Sequence, residues 1–132
     1  MTASSSASLR LTRAMRLQER REFAQVRSQG QRLVKGCLIA NWMALPGSAI
    51  SRLGLVTSRQ LGNAVARTRA RRLLREAFRL HQQDLRLPVV MVLVARQSIA
   101  GKRYAQVEYD YLNVLRQANL LKTTKLTPAS AS

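Results

Sequence analysis

Seven consecutive apolar residues follow Pro88, and they restrict the fold more than any other segment of the chain. The run Val89–Ala95 reads Val-Val-Met-Val-Leu-Val-Ala, so four of its seven residues are β-branched valines. A strand with one face in water alternates apolar and polar residues. A continuous apolar run of this length is typical of a central strand that is buried on both faces. The sequence therefore predicts a sheet with this segment in its interior.

Patterns on either side of this run predict the remaining elements. Apolar residues at helical spacing predict helices over residues 17–29, 63–81 (or 63–84) and 104–121. Short apolar segments predict strands over residues 32–35, 37–45 and 52–58, with a turn at 46–48. Gly30 is expected to cap the first helix, and Asn63 is expected to be the N-cap of the second. The predicted element order is α-β-β-β-α-β-α.

The two ends of the chain differ in composition from this middle part. Residues 1–15 are rich in Ser, Ala and Thr and carry no acid, and residues 122–132 are rich in Thr, Ser and Ala. We expect both to be disordered tails around a single domain at 16–121. A mitochondrial transit peptide stays open as an alternative for the first tail. The absence of a long apolar run and the single cysteine, Cys37, favour a cytoplasmic protein without a membrane span or a disulfide.

Residues 62–79 form a helix-patterned segment with six arginines and one acid. Arg67, Arg71, Arg75 and Arg79 recur at every fourth position, with Arg72 beside them, and so form a basic stripe. The other side of the predicted helix is apolar and consists of Ala66, Ala70, Leu73, Leu74, Ala77, Phe78 and Leu80. The segment therefore predicts a helix with one face in the core and an arginine face beside it.

This arginine face is unfavourable for the isolated helix. Each like-charge pair at i, i+4 costs about 0.2–0.5 kcal/mol, and Arg67 and Arg69 near the helix start oppose the helix dipole. The whole chain has a formal net charge of +17 and a pI of about 11.9. Arginine binds phosphate through two parallel hydrogen bonds, so the pattern favours a nucleic-acid partner. A merely solvated polar face is the alternative.

Residues able to perform hydrolytic chemistry are few and scattered. Cys37 and His81 are the only cysteine and the only histidine, and both are expected to pack rather than to bind a ligand. The six acids are Glu19, Glu22, Glu76, Asp84, Glu108 and Asp110. Their spacing gives no general acid and base pair, no activated nucleophile and no zinc site, so we assign no catalytic and no metal-binding residue.

The chain resembles the protein subunit of bacterial ribonuclease P from about Arg16 to Leu121. The resemblance rests on Arg-Leu-Gly-Leu-Val-Thr-Ser at 52–58 followed by Gly-Asn-Ala-Val-Ala-Arg-Thr-Arg-Ala-Arg-Arg-Leu-Leu-Arg-Glu-Ala-Phe-Arg at 62–79. Arg21-Glu22-Phe23 before Gly30, and the valine-rich strand ending in Ala95-Arg96, support it. The family's central Arg-Asn-Arg motif has Thr68 in its middle position here.

The resemblance implies a fold and a function. The fold would be an α+β sandwich like the second domain of ribosomal protein S5, with a four-stranded mixed sheet and a left-handed βαβ crossover. The function would be to bind the catalytic RNA and the 5′ leader of precursor tRNA, while the RNA and its bound Mg²⁺ cleave the phosphodiester. No membrane and no further protein partner would be required.

The resemblance also implies two groups of binding residues. The residues facing the catalytic RNA would be Asn63, Arg67, Thr68, Arg69, Arg71, Arg72 and Arg75. The residues facing the leader, in a cleft between the first helix and the sheet, would be Phe23, Arg27, Ile39 and Asn41. A core position beside Val26 stays open for Phe23, and Trp42 is expected in the core.

Two other functions stay open from the residues alone. A ribosomal protein or general RNA chaperone would share the charge but would not prefer precursor tRNA over mature tRNA. A self-contained nuclease would need clustered acids for metal ions, and the scattered acids argue against it.

Overall fold

The computed structural model describes residues 20–45, 47 and 50–122. Its main elements in chain order are α1 (Arg20–Gln29), β1 (Gln31–Lys35), β2 (Leu38–Ala44), β3 (Arg52–Val56), α2 (Ala64–His81), β4 (Val89–Ala95) and α3 (Tyr104–Gln117). The predicted element order is confirmed. The first predicted tail, positions 17–19 of the first predicted helix, most of the predicted 46–48 turn and all but Lys122 of the second tail lie outside the described residues. Among the described helices, none is both long and apolar enough to cross a bilayer.

The strands form one mixed sheet in the order β1-β2-β4-β3. β4 pairs with β2 antiparallel and with β3 parallel, which confirms the central position predicted for Val89–Ala95. Six of the seven β4 residues are buried, because side chains that alternate between the two faces are covered on both. β3 and β4 are parallel neighbours joined through α2, and the left-handed sense of this crossover stays a prediction.

Helices cover the two faces of the sheet unequally. The larger core joins one face to α2 and α3, with Met91 and Leu93 of β4 packed among Phe78 and Tyr111. The smaller core joins the other face to α1, where Val26 packs against Val90 and Val92. Full burial of such side chains contributes about 1.5–3 kcal/mol each. The α1 side therefore has the thinner cover, and part of that sheet face stays accessible.

Gly30 ends α1 for a reason different from the predicted glycine cap. The glycines with a positive φ in the described chain are Gly36, Gly47, Gly62 and Gly101, so Gly30 does not adopt the left-handed conformation of such a cap. A Cβ atom on Gly30 would instead lie 2.5 Å from the Trp42 carbonyl oxygen and 2.5 Å from the Val26 carbonyl oxygen. Gly30 is required by the close approach of α1 to β2.

α3 ends at Gln117, four residues before the predicted end. Asn119 turns the chain with a φ of +60°, and the Leu120 N–H then bonds the Leu115 carbonyl oxygen at 2.8 Å. This turn buries Leu120 and lets Leu121 pair with Leu85. The apolar residues that suggested a longer helix are therefore buried by a reversal of the chain.

Candidate nucleic-acid interface

The segment before α2 fixes where its arginines lie. Gly62 has a φ of +144°, a conformation that favours glycine, and it follows the buried Leu61. Asn63 is the N-cap, as predicted, and its Oδ1 accepts a hydrogen bond of 2.9 Å from the Ala66 N–H. The Gln97 side chain bonds the Gln60 carbonyl oxygen from the segment after β4. The start of α2 is thereby held beside the end of β4.

The apolar side of α2 packs as the sequence predicts. Ala70, Leu74, Ala77 and Phe78 are buried against the sheet and α3. Leu80 is the exception, because it lies at the edge of the apolar arc and is exposed. This packing leaves the arginine-rich side of the helix facing outwards.

Arg71 lies at the centre of this side and is held in place by two hydroxyl groups. Its guanidinium donates to Thr57 Oγ1 at 2.9 Å, just beyond β3, and to Thr68 Oγ1 at 3.3 Å, one turn earlier in α2. Thr68, predicted to contact RNA, therefore also orients the neighbouring arginine. An arginine held in this way has little side-chain freedom left to lose when it binds a partner.

Arg67 and Arg69 lie in the first two turns of α2 and point to different sides of the helix. The Arg67 guanidinium donates to the Gly62 carbonyl oxygen at 3.0 Å, and the Arg69 guanidinium donates to the Lys102 carbonyl oxygen before α3. Each bond uses one of five guanidinium donors and leaves the positive charge unneutralised. We call the group Arg67, Arg69, Arg71, Arg72 and Arg75 the arginine surface. It is broader than the single stripe that the sequence suggested.

Arg72 and Arg79 differ in their surroundings. Arg72 is exposed and makes no hydrogen bond or ion pair within the described part of the chain. Arg79 makes two bonds to Glu76, at 2.7 and 3.0 Å, and these bonds lower the pKa of the Glu76 carboxyl group. The predicted stripe therefore loses its last arginine, because Arg79 has an acid partner.

The acids that the structure describes all have partners within the chain. Glu22 binds Arg52, Glu76 binds Arg79, Asp84 and Glu108 bind His81, and Asp110 accepts from the Cys37 N–H. None of the described acids, histidines and cysteines forms a group of three that could hold a metal ion. Two of these acids, Asp84 and Glu108, are brought together at His81 by the fold.

His81 has more partners than the sequence suggested. Its Nδ1 lies 2.8 Å from Asp84 Oδ2 and its Nε2 lies 2.7 Å from Glu108 Oε2, with the ring near Tyr111. The spacing of Asp84 from His81 is readable from the sequence as an i, i+3 pair. The contact with Glu108 is not, because it joins α2 to α3 across 27 residues. This cluster ties the end of α2 to α3.

Cys37 is a structural residue, as expected. Its side chain is fully buried, and burial together with a hydrogen bond to Asp110 raises the pKa of its thiol to about 12. The thiolate needed for nucleophilic attack or metal binding is then scarce at neutral pH.

The residues predicted to face the leader lie on the α1 side of the sheet. Phe23 is half-buried at the margin of the smaller core, and Arg27, one turn later, is exposed. Ile39 pairs with Val94 of β4, and Asn41 pairs with Val92, so their side chains point to the same face. Phe23 thus has both a packing contact and an accessible part, which fits either interpretation made from the sequence.

Asn41 and Trp42 point to opposite faces, as expected for neighbours in a strand. Asn41 is 3% exposed, and its amide makes no hydrogen bond within the described residues. Trp42 is buried in the larger core, as predicted. We call Phe23, Arg27, Ile39 and Asn41 the α1-side surface.

Comparisons with known proteins agree with this architecture. A family model described as Ribonuclease P matches residues 11–119. The ribonuclease P protein component of Gluconacetobacter diazotrophicus is 35% identical over 109 residues, which cover 82% of this chain and 94% of that protein. The corresponding protein of Chloroflexus aggregans is 34% identical over 125 residues, which cover 91% and 89%.

Solved structures show the same fold. The RNase P protein of Staphylococcus aureus has a TM-score of 0.75 at 24% identity and covers 83% of this chain and 100% of its own. The RNase P protein of Thermotoga maritima has a TM-score of 0.69 at 26% identity and covers 77% and 96%. Because the family model spans most of the chain and relatives above 30% identity align over most of it, the chain belongs to the ribonuclease P protein family.

Proposed function

We propose that this chain is the RNA-binding subunit of ribonuclease P and acts in the cytoplasm. In this proposal it binds the catalytic RNA through the arginine surface and the 5′ leader of precursor tRNA through the α1-side surface. It thereby supports the endonucleolytic cut that leaves the mature 5′ end of tRNA. The observation that carries the proposal is the arginine surface, in which Arg72 is exposed and the guanidinium groups of Arg67, Arg69 and Arg71 donate to carbonyl and hydroxyl oxygens.

The charge and geometry of α2 support the RNA contact. Contacts between arginines and phosphates release counterions, and this electrostatic contribution supplies much of the affinity of proteins for RNA. Arg71 is oriented by Thr57 and Thr68 before any partner binds, which lowers the entropy cost of a phosphate contact. Asn63 supports this surface from the N-terminus of α2, because its bond to the Ala66 N–H holds the first turn in place.

The α1-side surface supports a contact with an unpaired strand. Stacking of a base on an accessible aromatic ring contributes about 1–3 kcal/mol, and Phe23 offers part of such a ring. Arg27 can stack through its guanidinium, and the Asn41 amide has donors and an acceptor without partners in the described chain. A single-stranded leader that crosses this face would find both stacking and hydrogen-bonding groups.

The acids in the described part of the chain do not suit a magnesium site held by protein. Mg²⁺ prefers carboxylate oxygens and water, and each described acid is already bound to a basic group or a backbone N–H. We therefore assign Mg²⁺ to the RNA. In this proposal the protein binds and positions the two RNAs and contributes no group that makes or breaks a bond.

Reconstitution with the catalytic RNA of the same organism tests the proposal. The purified protein, treated to destroy contaminating RNA, should not cleave precursor tRNA in Mg²⁺. Addition of the protein to the catalytic RNA should restore cleavage at a low magnesium concentration at which the RNA alone is inactive. The variant Arg116→Ala removes one exposed charge outside both surfaces and serves as the control.

Two results would contradict the proposal. Cleavage by the RNA-free protein would mean that the chain is a nuclease itself. Equal affinity of the reconstituted complex for precursor and mature tRNA, without any gain in cleavage, would indicate a general RNA chaperone.

A further inference from the structure

A pocket of about 340 Å³ lies at the end of the sheet where β1 and β4 begin and β2 ends. Gln31, Ala44 and Val89 mark this end of the three strands, while Arg86 and Leu120 border the pocket from the segments before β4 and after α3. Sites for small ligands typically have volumes of about 300–1,000 Å³. The pocket is therefore large enough for one small organic group.

The pocket is separate from both proposed RNA-binding surfaces. α2 begins beside the opposite end of β4, and the seven residues of that strand span about 20 Å at a rise of roughly 3.3 Å per residue. No residue of the arginine surface or of the α1-side surface lines the pocket. A ligand bound here would make contacts that neither surface provides.

The polar groups that line the pocket suit a ligand with negative charge and hydrogen-bond acceptors. Arg86 is exposed, and its Nε donates to the Asn119 carbonyl oxygen, which orients the guanidinium and leaves its two NH₂ groups available. Trp42 is 5% exposed, and its indole N–H has no acceptor among the described residues. None of the residues lining the pocket is an acid.

The apolar part of the lining consists of the partly exposed Met43 and Leu87 together with the buried Val89 and Leu120. A flat heteroaromatic ring gains contact area from such a wall, and its ring nitrogens and carbonyl groups accept hydrogen bonds. A phosphate attached to that ring through a sugar would suit the Arg86 guanidinium. These two requirements are met together by a nucleotide.

We propose that this pocket binds one unpaired nucleotide of an RNA, with the base on the apolar wall and the phosphate on Arg86. The net charge of +17 brings polyanions to the protein, and the pocket would select from them a nucleotide that is free of base pairing. Because the pocket is about 20 Å from the start of α2, one folded RNA could occupy the pocket and the arginine surface together.

Trp42 provides a direct measurement, because it is the only tryptophan of the chain. Adenosine monophosphate, adenosine and inorganic phosphate are titrated separately into the full-length protein while the tryptophan emission is recorded. We expect a saturable change in emission with adenosine monophosphate at or below about 1 mM, and weaker responses to adenosine and to phosphate. Binding at the distant arginine surface does not place a base near this indole.

Two variants and one control complete the test. Arg86→Ala should weaken the binding of adenosine monophosphate about tenfold, as expected for loss of a charge-assisted hydrogen bond. Ala118→Leu, which fills the pocket without removing charge, should abolish the change in emission while the far-ultraviolet circular dichroism stays unchanged. Arg116→Ala, which removes an exposed charge outside the pocket, should bind within twofold of the original protein.

Three outcomes would overturn the proposal. The first is no saturable change in emission with adenosine monophosphate. The second is an equal response to inorganic phosphate, which would show an anion site without a base pocket. The third is equal weakening by Arg116→Ala or normal binding by a folded Ala118→Leu variant, since either would place the nucleotide elsewhere on the basic surface.

Discussion

Replacement of Arg72 and of Arg79 by alanine should have unequal effects on the binding of the catalytic RNA. The two residues are seven positions apart on α2, so they point in directions that differ by only about 20°. Each substitution removes one arginine from an exposed or half-exposed position. Of the two, only Arg79 has an acid partner, because its guanidinium lies 2.7 Å from Glu76 Oε2. They therefore form a matched pair within one helix.

The expected magnitudes follow from this difference. A phosphate contact through Arg72 contributes about 0.7–0.9 to the slope of log affinity against log salt. It also contributes roughly 1.5–3 kcal/mol, so Arg72→Ala should weaken binding about 10- to 150-fold and flatten the slope by nearly one unit. Arg79 would have to leave Glu76 before it bound phosphate, so Arg79→Ala should change the slope by much less. The exposed Arg79–Glu76 pair contributes only about 0.2–0.5 kcal/mol to folding.

Filter binding of labelled catalytic RNA over a series of potassium chloride concentrations measures both slopes. Thermal melting of each variant, which should stay close to that of the original protein, is the control for folding. Equal flattening by the two substitutions would refute the argument that Glu76 withholds Arg79 from the RNA. Unchanged slopes for both would show that this side of α2 is merely solvated.

Three further outcomes are expected. Phe23→Ala in the reconstituted enzyme should weaken binding of precursor tRNA with a leader of several nucleotides by about 5- to 150-fold, through loss of roughly 1–3 kcal/mol of stacking, and should hardly affect a one-nucleotide leader. Equal weakening for both leaders together with a large fall in Tm would assign Phe23 to packing. Glu76→Gln should release Arg79 and steepen the salt slope by about 0.7–0.9, whereas an unchanged slope would place Arg79 outside the RNA contact. The pKa of the Cys37 thiol is raised to about 12, so only about one molecule in ten thousand carries the thiolate at pH 8. Iodoacetamide should therefore modify the urea-unfolded chain and spare the native one. Rapid modification of the folded protein would contradict the burial of this thiol.

The fold was largely predictable where the sequence carries a local period. The continuous apolar run of β4 and the helical period of α2 each identify an element without reference to the rest of the chain. The end of α3 was not predictable in this way, because Leu121 is apolar for its pairing with Leu85 rather than for a helix face. Gly30 was placed correctly at a helix end, but its close approach to the Trp42 carbonyl oxygen depends on tertiary packing.

The candidate site was predictable in residue type and less so in arrangement. The excess of arginine on α2 is local and readable, and so is the i, i+3 pairing of Arg79 with Glu76, which the count of charges alone overlooked. The contacts of Arg71 with Thr57 and of Arg69 with Lys102 join residues 14 and 33 positions apart. The periodicity of a sequence does not indicate contacts between residues this far apart. The width of the arginine surface could therefore be seen only in the structure.

The central place of β4 in the sheet determines the order in which a nascent chain can fold. β1 and β2 can form a hairpin once residue 44 has left the ribosome, but β3 pairs with β4 alone and has no strand partner until Val89–Ala95 have also left it. At about 5–20 residues per second, the interval between β3 and the end of β4 is several seconds. During that time the apolar side of α2 has only part of its final packing surface, and the ribosome itself is a polyanion of high local concentration. The domain can therefore complete its fold only after the last third of the chain has been made. We expect a fragment that stops before Val89 to stay unfolded and to bind RNA through its arginines.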